Sequence, residues 1–192
     1  MKIKYPLKNH IFNRFYVYLL ALIAFPIICT YSIYQKTKPK DYERFSIFAD
    51  IEFKNDGAFK DYLFTELKED LEIDIYESNR DDTLFNTYFS SYGLNSDICI
   101  LSKKTLDKFE SINFVDLKGT TFDKENNYFF KDSSIGVLYH QKDSSTGNEY
   151  INFPIAEDDY YITVNKNGVH LKEITTTGLT DQVYRVINLL IK

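Results

Sequence analysis

Tryptophan is absent, and cysteine occurs only twice, at Cys29 and Cys99. The two lie far apart, each in an apolar run, and no C-x-x-C spacing occurs. A disulfide framework and a zinc ribbon are therefore excluded, and Cys99 reads as a small core residue. Histidine is also sparse: His10, His140 and His170 have neither a second His four residues on nor a cysteine nearby, so structural or solvated roles are expected. Seven glycines and four prolines leave no P-loop, no G-x-G-x-x-G fingerprint and no G-x-S-x-G elbow. The acidic run Glu157-Asp158-Asp159 lacks the alternation and glycine of an EF-hand and reads as a solvated loop. These absences point away from an enzyme, a cofactor and a metal.

What the chain does have is one long run without charge, Phe15 to Tyr34, "FYVYLLALIAFPIICTYSIY". As a helix it measures about 30 Å, the thickness of a bilayer core. Tyr16 and Tyr18 sit near one end and Tyr31 and Tyr34 near the other, where aromatic belts lie. Pro26, in mid-span, is expected to kink it, which membranes tolerate. A cleaved signal peptide is the competing reading. No A-x-A-like site follows the run, however, and Ile28 in front of Cys29 does not fit a lipoprotein signal. The expected organisation is a basic tail at 1–14, a transmembrane anchor at 15–35, a stalk at 36–43 and a domain at 44–192. Lys2, Lys4, Lys8 and Arg14 on one side balance Lys36, Lys38, Lys40 and Arg44 on the other. The short tail and its free amino group favour an inside N-terminus, with the domain outside the cell membrane on a single pass.

Charge divides along the same line. The first 44 residues hold 8 of the 23 Lys+Arg and 2 of the 28 Asp+Glu, a net of +6, which leaves −11 on the remainder. An acidic domain repels phosphate backbones, so nucleic acid is excluded as a partner. The basic flanks suit lipid head groups, making the bilayer the expected partner.

Within the domain, apolar periodicity alternates between strand and helix. "FSIFADIEF" puts Phe45, Ile47, Ala49, Ile51 and Phe53 on one face and Phe48 on the other, a strand buried on both sides. Phe59, Leu63 and Leu67 recur every fourth residue after a cap at Asp56. Leu71, Ile73 and Ile75 alternate with Glu72, Asp74 and Tyr76, an edge strand with one wet face. Asp82 opens the next helix, Phe85, Tyr88, Phe89 and Tyr92 line one side of it, and Gly93 ends it. "DICIL", residues 97–101, carries an unbroken apolar run from Ile98 to Leu101 and reads as a strand covered on both faces, Ile98 and Ile100 toward one helical layer and Cys99 and Leu101 toward the other. "KKTLDKFESI" follows as a helix and "NFVDL" as a short strand. Beyond Lys118 come strands in "SIGVLYHQ", "YINF" and "YYITVNK", an Asn167-Gly168 turn with "VHL" after it, and a closing helix. That helix is capped at Thr180 and buries Val183, Ile187 and Leu190. The fold class is α/β, an open, mostly parallel sheet with helices on both faces, preceded by a single N-terminal transmembrane helix.

This succession, and "YGLNSDICILSKKTLDKFESINFVDL" in particular, resembles the first lobe of the extracellular solute-binding proteins of ABC transporters, a type 2 periplasmic-binding-protein-like fold. There a strand of the form Asp-apolar-apolar-apolar-Leu precedes a helix and a Phe-x-Asp-Leu segment. "IGVLYHQKDSSTG" is similar to the strand that follows, and "YYITVNKNGVHL" with the final helix to a segment that closes the lobe. The likeness spans roughly residues 44–192, enough for one lobe, whereas those proteins close two lobes on a ligand. It implies an extracytoplasmic recognition role, with a small solute or a membrane protein as partner.

Open parallel sheets take ligands at the carboxyl ends of their strands. The residues expected there are Asp50, Ser78, Asn79, Ser102 and Lys103, with Tyr88 and Tyr92 as stacking faces for a sugar ring. Merely polar loops and core tyrosines are the plainer reading of the same residues. The alternative function is a structural or regulatory subunit that docks on another membrane protein.

Overall fold

The computed structural model describes residues 7–38, 40, 43–68, 71–78, 82–108, 113–142, 144, 149–152, 158–171 and 181–191. The chain divides into two compact units, Met1–Pro39 and Lys40–Lys192.

The first unit is helix α1, Leu7–Thr37, about 46 Å long at 1.5 Å per residue. Its segment Arg14–Lys36 is long and apolar enough to cross a membrane, and none of its side chains is buried. A signal sequence passes the same test. The helix runs through Pro26, and the Thr30 hydroxyl donates to the Pro26 carbonyl at 2.7 Å.

The second unit is built on a six-stranded sheet in the order β3-β1-β4-β8-β6-β5. Its strands are β1 (Arg44–Ala49), β3 (Glu72–Glu77), β4 (Ile98–Ser102), β5 (Tyr128–Phe130), β6 (Ser133–His140) and β8 (Tyr160–Val164). A separate antiparallel pair joins β2 (Glu52–Phe53) to β7 (Ile151–Asn152). The helices are α2 (Asp56–Leu67), α3 (Asp82–Ser91), α4 (Lys103–Lys108) and α5 (Asp181–Leu190).

The sheet is mixed. β1 pairs in parallel with β3 and β4, as the alternating pattern predicts. β8 then enters antiparallel between β4 and β6, and β5 hairpins back on β6. Four of the six strands run one way, but only three of those are adjacent. A strand buried on both faces is apolar whichever way it runs, so the pattern of β8 carries no sign of its direction.

The opposed faces come out as the apolar pattern requires. Phe45, Ile47, Ala49, Ile98 and Ile100 join Phe59, Leu63 and Leu67 of α2 and Val183, Val186, Ile187 and Leu190 of α5 in one cluster. Phe48, Cys99 and Leu101 face the other way, against Phe89 of α3 and Leu106 of α4. β3 is an edge strand whose Glu72 and Asp74 meet Arg44 at 2.9 and 3.5 Å, so Asp74 is only partly in water.

Several local expectations shift. "FSIFADIEF" bends at Asp50 and Ile51 into β1 and β2, although Ile51 and Phe53 keep the predicted face. The α2 cap is Asn55, not Asp56; its side chain accepts from the Ala58 N–H at 3.0 Å. "NFVDL" forms no strand. Phe114 makes a single bridge to Asn165, and the chain leans on the sheet through Val115 N–H to Val164 O. "VHL" continues the turn after Gly168. β5 was not expected: it has three residues, and its hairpin turns at Lys131-Asp132 without glycine. Thr180 lies outside the described residues.

Candidate functional site

The bend after β1 and the β4–α4 junction bring Asp50 and Ser102 together at the carboxyl ends of the central parallel strands. Asp50 accepts from the Ser102 N–H at 3.0 Å and from the hydroxyls of Ser102, at 2.8 Å, and Thr105. Burial pushes the Asp50 carboxyl up against these hydrogen bonds, and nearby Asp158 pushes the same way. A second carboxylate closes the same turn: Asp158 accepts from the Lys104 N–H at 2.6 Å. Asp159 accepts from the Lys142 N–H at 2.6 Å. The amides that open α4 are thus engaged by the chain itself: Lys103 N–H by Asp159 O, Lys104 N–H by the Asp158 carboxylate and Thr105 N–H by the Ser102 hydroxyl. Asp158 and Asp159 staple loops together instead of forming the solvated run expected of them; Glu157 lies outside the described residues.

Lys103 is exposed at this rim. Its ammonium meets Asp107 at 2.6 Å and stands 5.8 Å from the centre of the Tyr128 ring, whose hydroxyl donates to Asp107 at 2.7 Å. These two donors hold the Asp107 carboxyl below its ordinary range, led by the bond from Lys103. Ser78 is buried, its N–H bonded to Ala49 O at 2.8 Å. Asn79 lies outside the described residues.

Tyr88 and Tyr92 do not join this group. Tyr92 follows α3 and precedes the short turn Gly93–Asn95 that leads into β4, so it belongs to the amino-terminal end of the strands. Tyr92 stacks on Tyr76 with centroids 4.7 Å apart and planes at 14°, and Tyr88 lies 6.1 Å from Tyr92. Tyr92 also lines a pocket of about 120 Å³ with Ser46, Tyr76, Ser91, Asn95 and Ser96.

A buried polar network holds the wall of this pocket. Asp97, 1% exposed, accepts from the Ser46 N–H at 2.8 Å and from the Ser46 hydroxyl at 3.0 Å through one carboxylate oxygen. Its other oxygen accepts from the His170 N–H at 2.9 Å and lies 3.2 Å from His170 Nδ1. The buried amide of Asn165 donates to Gly93 O and Ser96 O at 2.6 and 2.8 Å. Gly168 is required here, since a Cβ would stand 2.9 Å from Asp97 Cα. His170 is buried, with its ring 5.4 Å from that of Phe45. Asp97 and Asn165 were not singled out, although a polar residue beside a fully apolar strand is a usable signal. Ser46, the lone hydroxyl inside the apolar run of β1, is another.

A second hollow of about 250 Å³ lies between α2 and β3, lined by Lys60, Asp61, Phe64 and Leu71 to Asp74. Among the described residues no group of three or more His, Cys, Asp or Glu is arranged to hold a metal ion. Burial raises the Cys99 thiol far above its usual range, which leaves it a poor nucleophile. No protein-family model, curated protein or solved structure matches the chain.

Proposed function

We propose that this chain is a membrane-anchored recognition protein whose domain, residues 44–192, works outside the cell as a single solute-binding lobe and holds a small solute without transforming it. The observation that carries this reading is the parallel block β3-β1-β4. Its order, second strand, first strand, third strand, makes the connections diverge between β1 and β4. Open α/β sheets receive ligands outside the carboxyl ends of the strands at such a point. Asp50 and Ser102 build that rim, and Lys103 is its exposed cation. β8 and α5, the strand and helix that resemble a lobe-closing segment, support the reading by returning to the sheet and its core. The apolar segment Arg14–Lys36 supports the anchor.

The test is a thermal-shift screen of the full chain in nanodiscs against sugars, amino acids and short peptides. A ligand of the folded state alone, at a hundred times its Kd, adds about 2.7 kcal/mol of stability and raises Tm. A uniform absence of shifts would count against solute binding. A second reading, docking on another membrane protein, is favoured by the exposed apolar side chains Leu84 and Tyr88 on α3. Co-purification of a stoichiometric membrane partner, lost on Leu84→Lys, would support it over the first.

A further inference from the structure

We propose that the pocket at the amino-terminal end of the parallel strands is a binding site for a neutral sugar residue. The proposal rests on the recognition reading but not on the lobe resemblance, and it concerns the opposite end of the sheet from the switch point.

The lining decides the class of ligand. The domain is strongly acidic, yet none of the six residues around this pocket carries a formal charge at neutral pH: three serines, two tyrosines and an asparagine. Serine and tyrosine hydroxyls both donate and accept, and an asparagine amide does each at a different atom. Ser46 and Ser96 give their protons to Asp97 and Tyr92 O and so offer lone pairs to the hydroxyls of a polyol. Ser91 and Asn95 can donate as well as accept, and an aromatic face matches its C–H surface. Tyr92, 42% exposed, presents aromatic surface in the lining, and Tyr88 lies beside it with ring centroids 6.1 Å apart. The volume equals that of about four waters at roughly 30 Å³ each. That is room for one edge of a sugar ring and its hydroxyls, with the remainder against the tyrosines.

Charged ligands fit worse. An anion needs a cation, and Arg44, which stands on β1 with Ser46, is engaged by Glu72 and Asp74. A quaternary ammonium needs ring faces set apart around it. Tyr76 and Tyr92 instead stack on each other at 4.7 Å, leaving no gap between them. Burial and the neighbouring Asp74 raise the Tyr76 hydroxyl above its ordinary value, so it stays a neutral donor.

The wall is also built in advance. Asp97 fixes the Ser46 hydroxyl from beneath, and its own N–H donates to that hydroxyl at 3.1 Å. The Ser96 hydroxyl donates to Tyr92 O at 2.8 Å, and Asn165 ties Ser96 to Gly93. A Cβ on Gly93 would approach Phe89 Cδ2 to 2.3 Å, so the turn that presents Tyr92 and Asn95 admits no larger residue without a shift. A site ordered before binding loses less entropy when the ligand arrives.

The test uses the full chain in phosphatidylserine nanodiscs, which carry neither sugar nor choline. Saturation-transfer NMR is recorded with glucose, galactose, N-acetylglucosamine and ribose, and with choline, methyl phosphate and glycine as the other arms. The expected result is transfer to the ring C–H protons of at least one sugar. Tyr92→Ala should weaken that binding about tenfold or more, the loss of one aromatic face. Asn95→Ala should weaken it about fivefold, the loss of one hydrogen-bonding side chain. Tyr62→Ala, which removes a tyrosine stacked on Tyr150 away from the pocket, should leave it unchanged. Each variant is accepted only with a cooperative melt. Transfer to choline or methyl phosphate alone overturns the ligand class. Sugar binding that ignores Tyr92→Ala and Asn95→Ala but falls with Lys103→Ala overturns the site and leaves the recognition reading standing. Binding of glycine alone does the same. Failure of every solute overturns both.

Discussion

At the scale of single residues, burial separates positions that tolerate change from those that do not. Ile100 is fully buried between β1 and β8 and belongs to the cluster under α2 and α5. A carboxylate there has no partner, and an isolated buried charge exceeds the stability of an ordinary domain. Ile100→Asp is therefore expected to abolish the cooperative melt of the domain. Asp74 is the contrast. Its side chain is about a quarter exposed and pairs with Arg44 at 3.5 Å. Asp74→Ser is expected to cost less than about 1 kcal/mol in urea unfolding, as partly exposed ion pairs do. A folded Ile100→Asp domain would mean that β4 is not central.

Asp50 supplies a residue-level test with a sign. Burial raises its folded pKa above the ordinary 3.8, so folding favours its protonated form. The resulting stability is fully present below the unfolded pKa and is lost as pH rises through the folded one. The Tm advantage of the native chain over Asp50→Asn should therefore shrink between about pH 3.8 and neutrality. An advantage that grows with pH over that window would show that the hydrogen bonds from Ser102 and Thr105 outweigh burial.

At the scale of elements, helix ends and turns hold what composition hides. α2 ends on Lys68, which adopts φ 54° and ψ 34° and bonds its N–H to Phe64 O. The Arg185 guanidinium of α5 also donates to Leu67 O, so a neighbouring helix caps this end. A left-handed conformation costs a side-chain-bearing residue about 1 kcal/mol relative to glycine, so Lys68→Gly should raise Tm. A lowered Tm would mean that the lysine contributes contacts worth more than its backbone strain.

The same scale shows what was legible. Strict spacing made α2 readable from Phe59, Leu63 and Leu67, and the unbroken apolar run made β4 readable with its two faces assigned correctly. β5 was not readable, because three residues carry no period and its turn has no glycine. "NFVDL" has strand-like composition, but it is buried against the end of the sheet through one bridge. In the candidate site, Asp50, Ser102 and Lys103 could be grouped because strand ends follow from strand assignments. Tyr88 and Tyr92 were misgrouped with them because helix periodicity gives the face of a residue and not the end of the sheet it reaches. The partners Asp97, Asn165 and His170 come from segments far apart in sequence, and only the fold brings them together.

At the scale of the molecule, the sequence joins the long apolar run to the acidic domain through a short basic segment, residues 36–40. A domain held outside on one span should be shaved from intact cells by added protease, leaving a small membrane-bound fragment. Immunoblots with antibodies to each end read the outcome. Protection of a domain that is sensitive after lysis would place it inside and overturn the proposed localisation.

The antiparallel strand β8 has a further consequence, for the order of folding. Ile98 pairs with Val164 and Ile100 with Ile162, so the middle of the sheet joins residues more than sixty positions apart. Contact order is thereby raised, and chains with such contacts fold slowly, because loop closure precedes any gain from pairing. During synthesis β1, β3 and β4 emerge as a block with one raw edge, and no later strand completes it until Tyr160 to Val164 has been made. Shortening the chain from its C-terminal side therefore does not yield a smaller version of this domain. A chain stopped before Tyr160 exposes the backbone edges of both β4 and β6, and such edges are templates for aggregation.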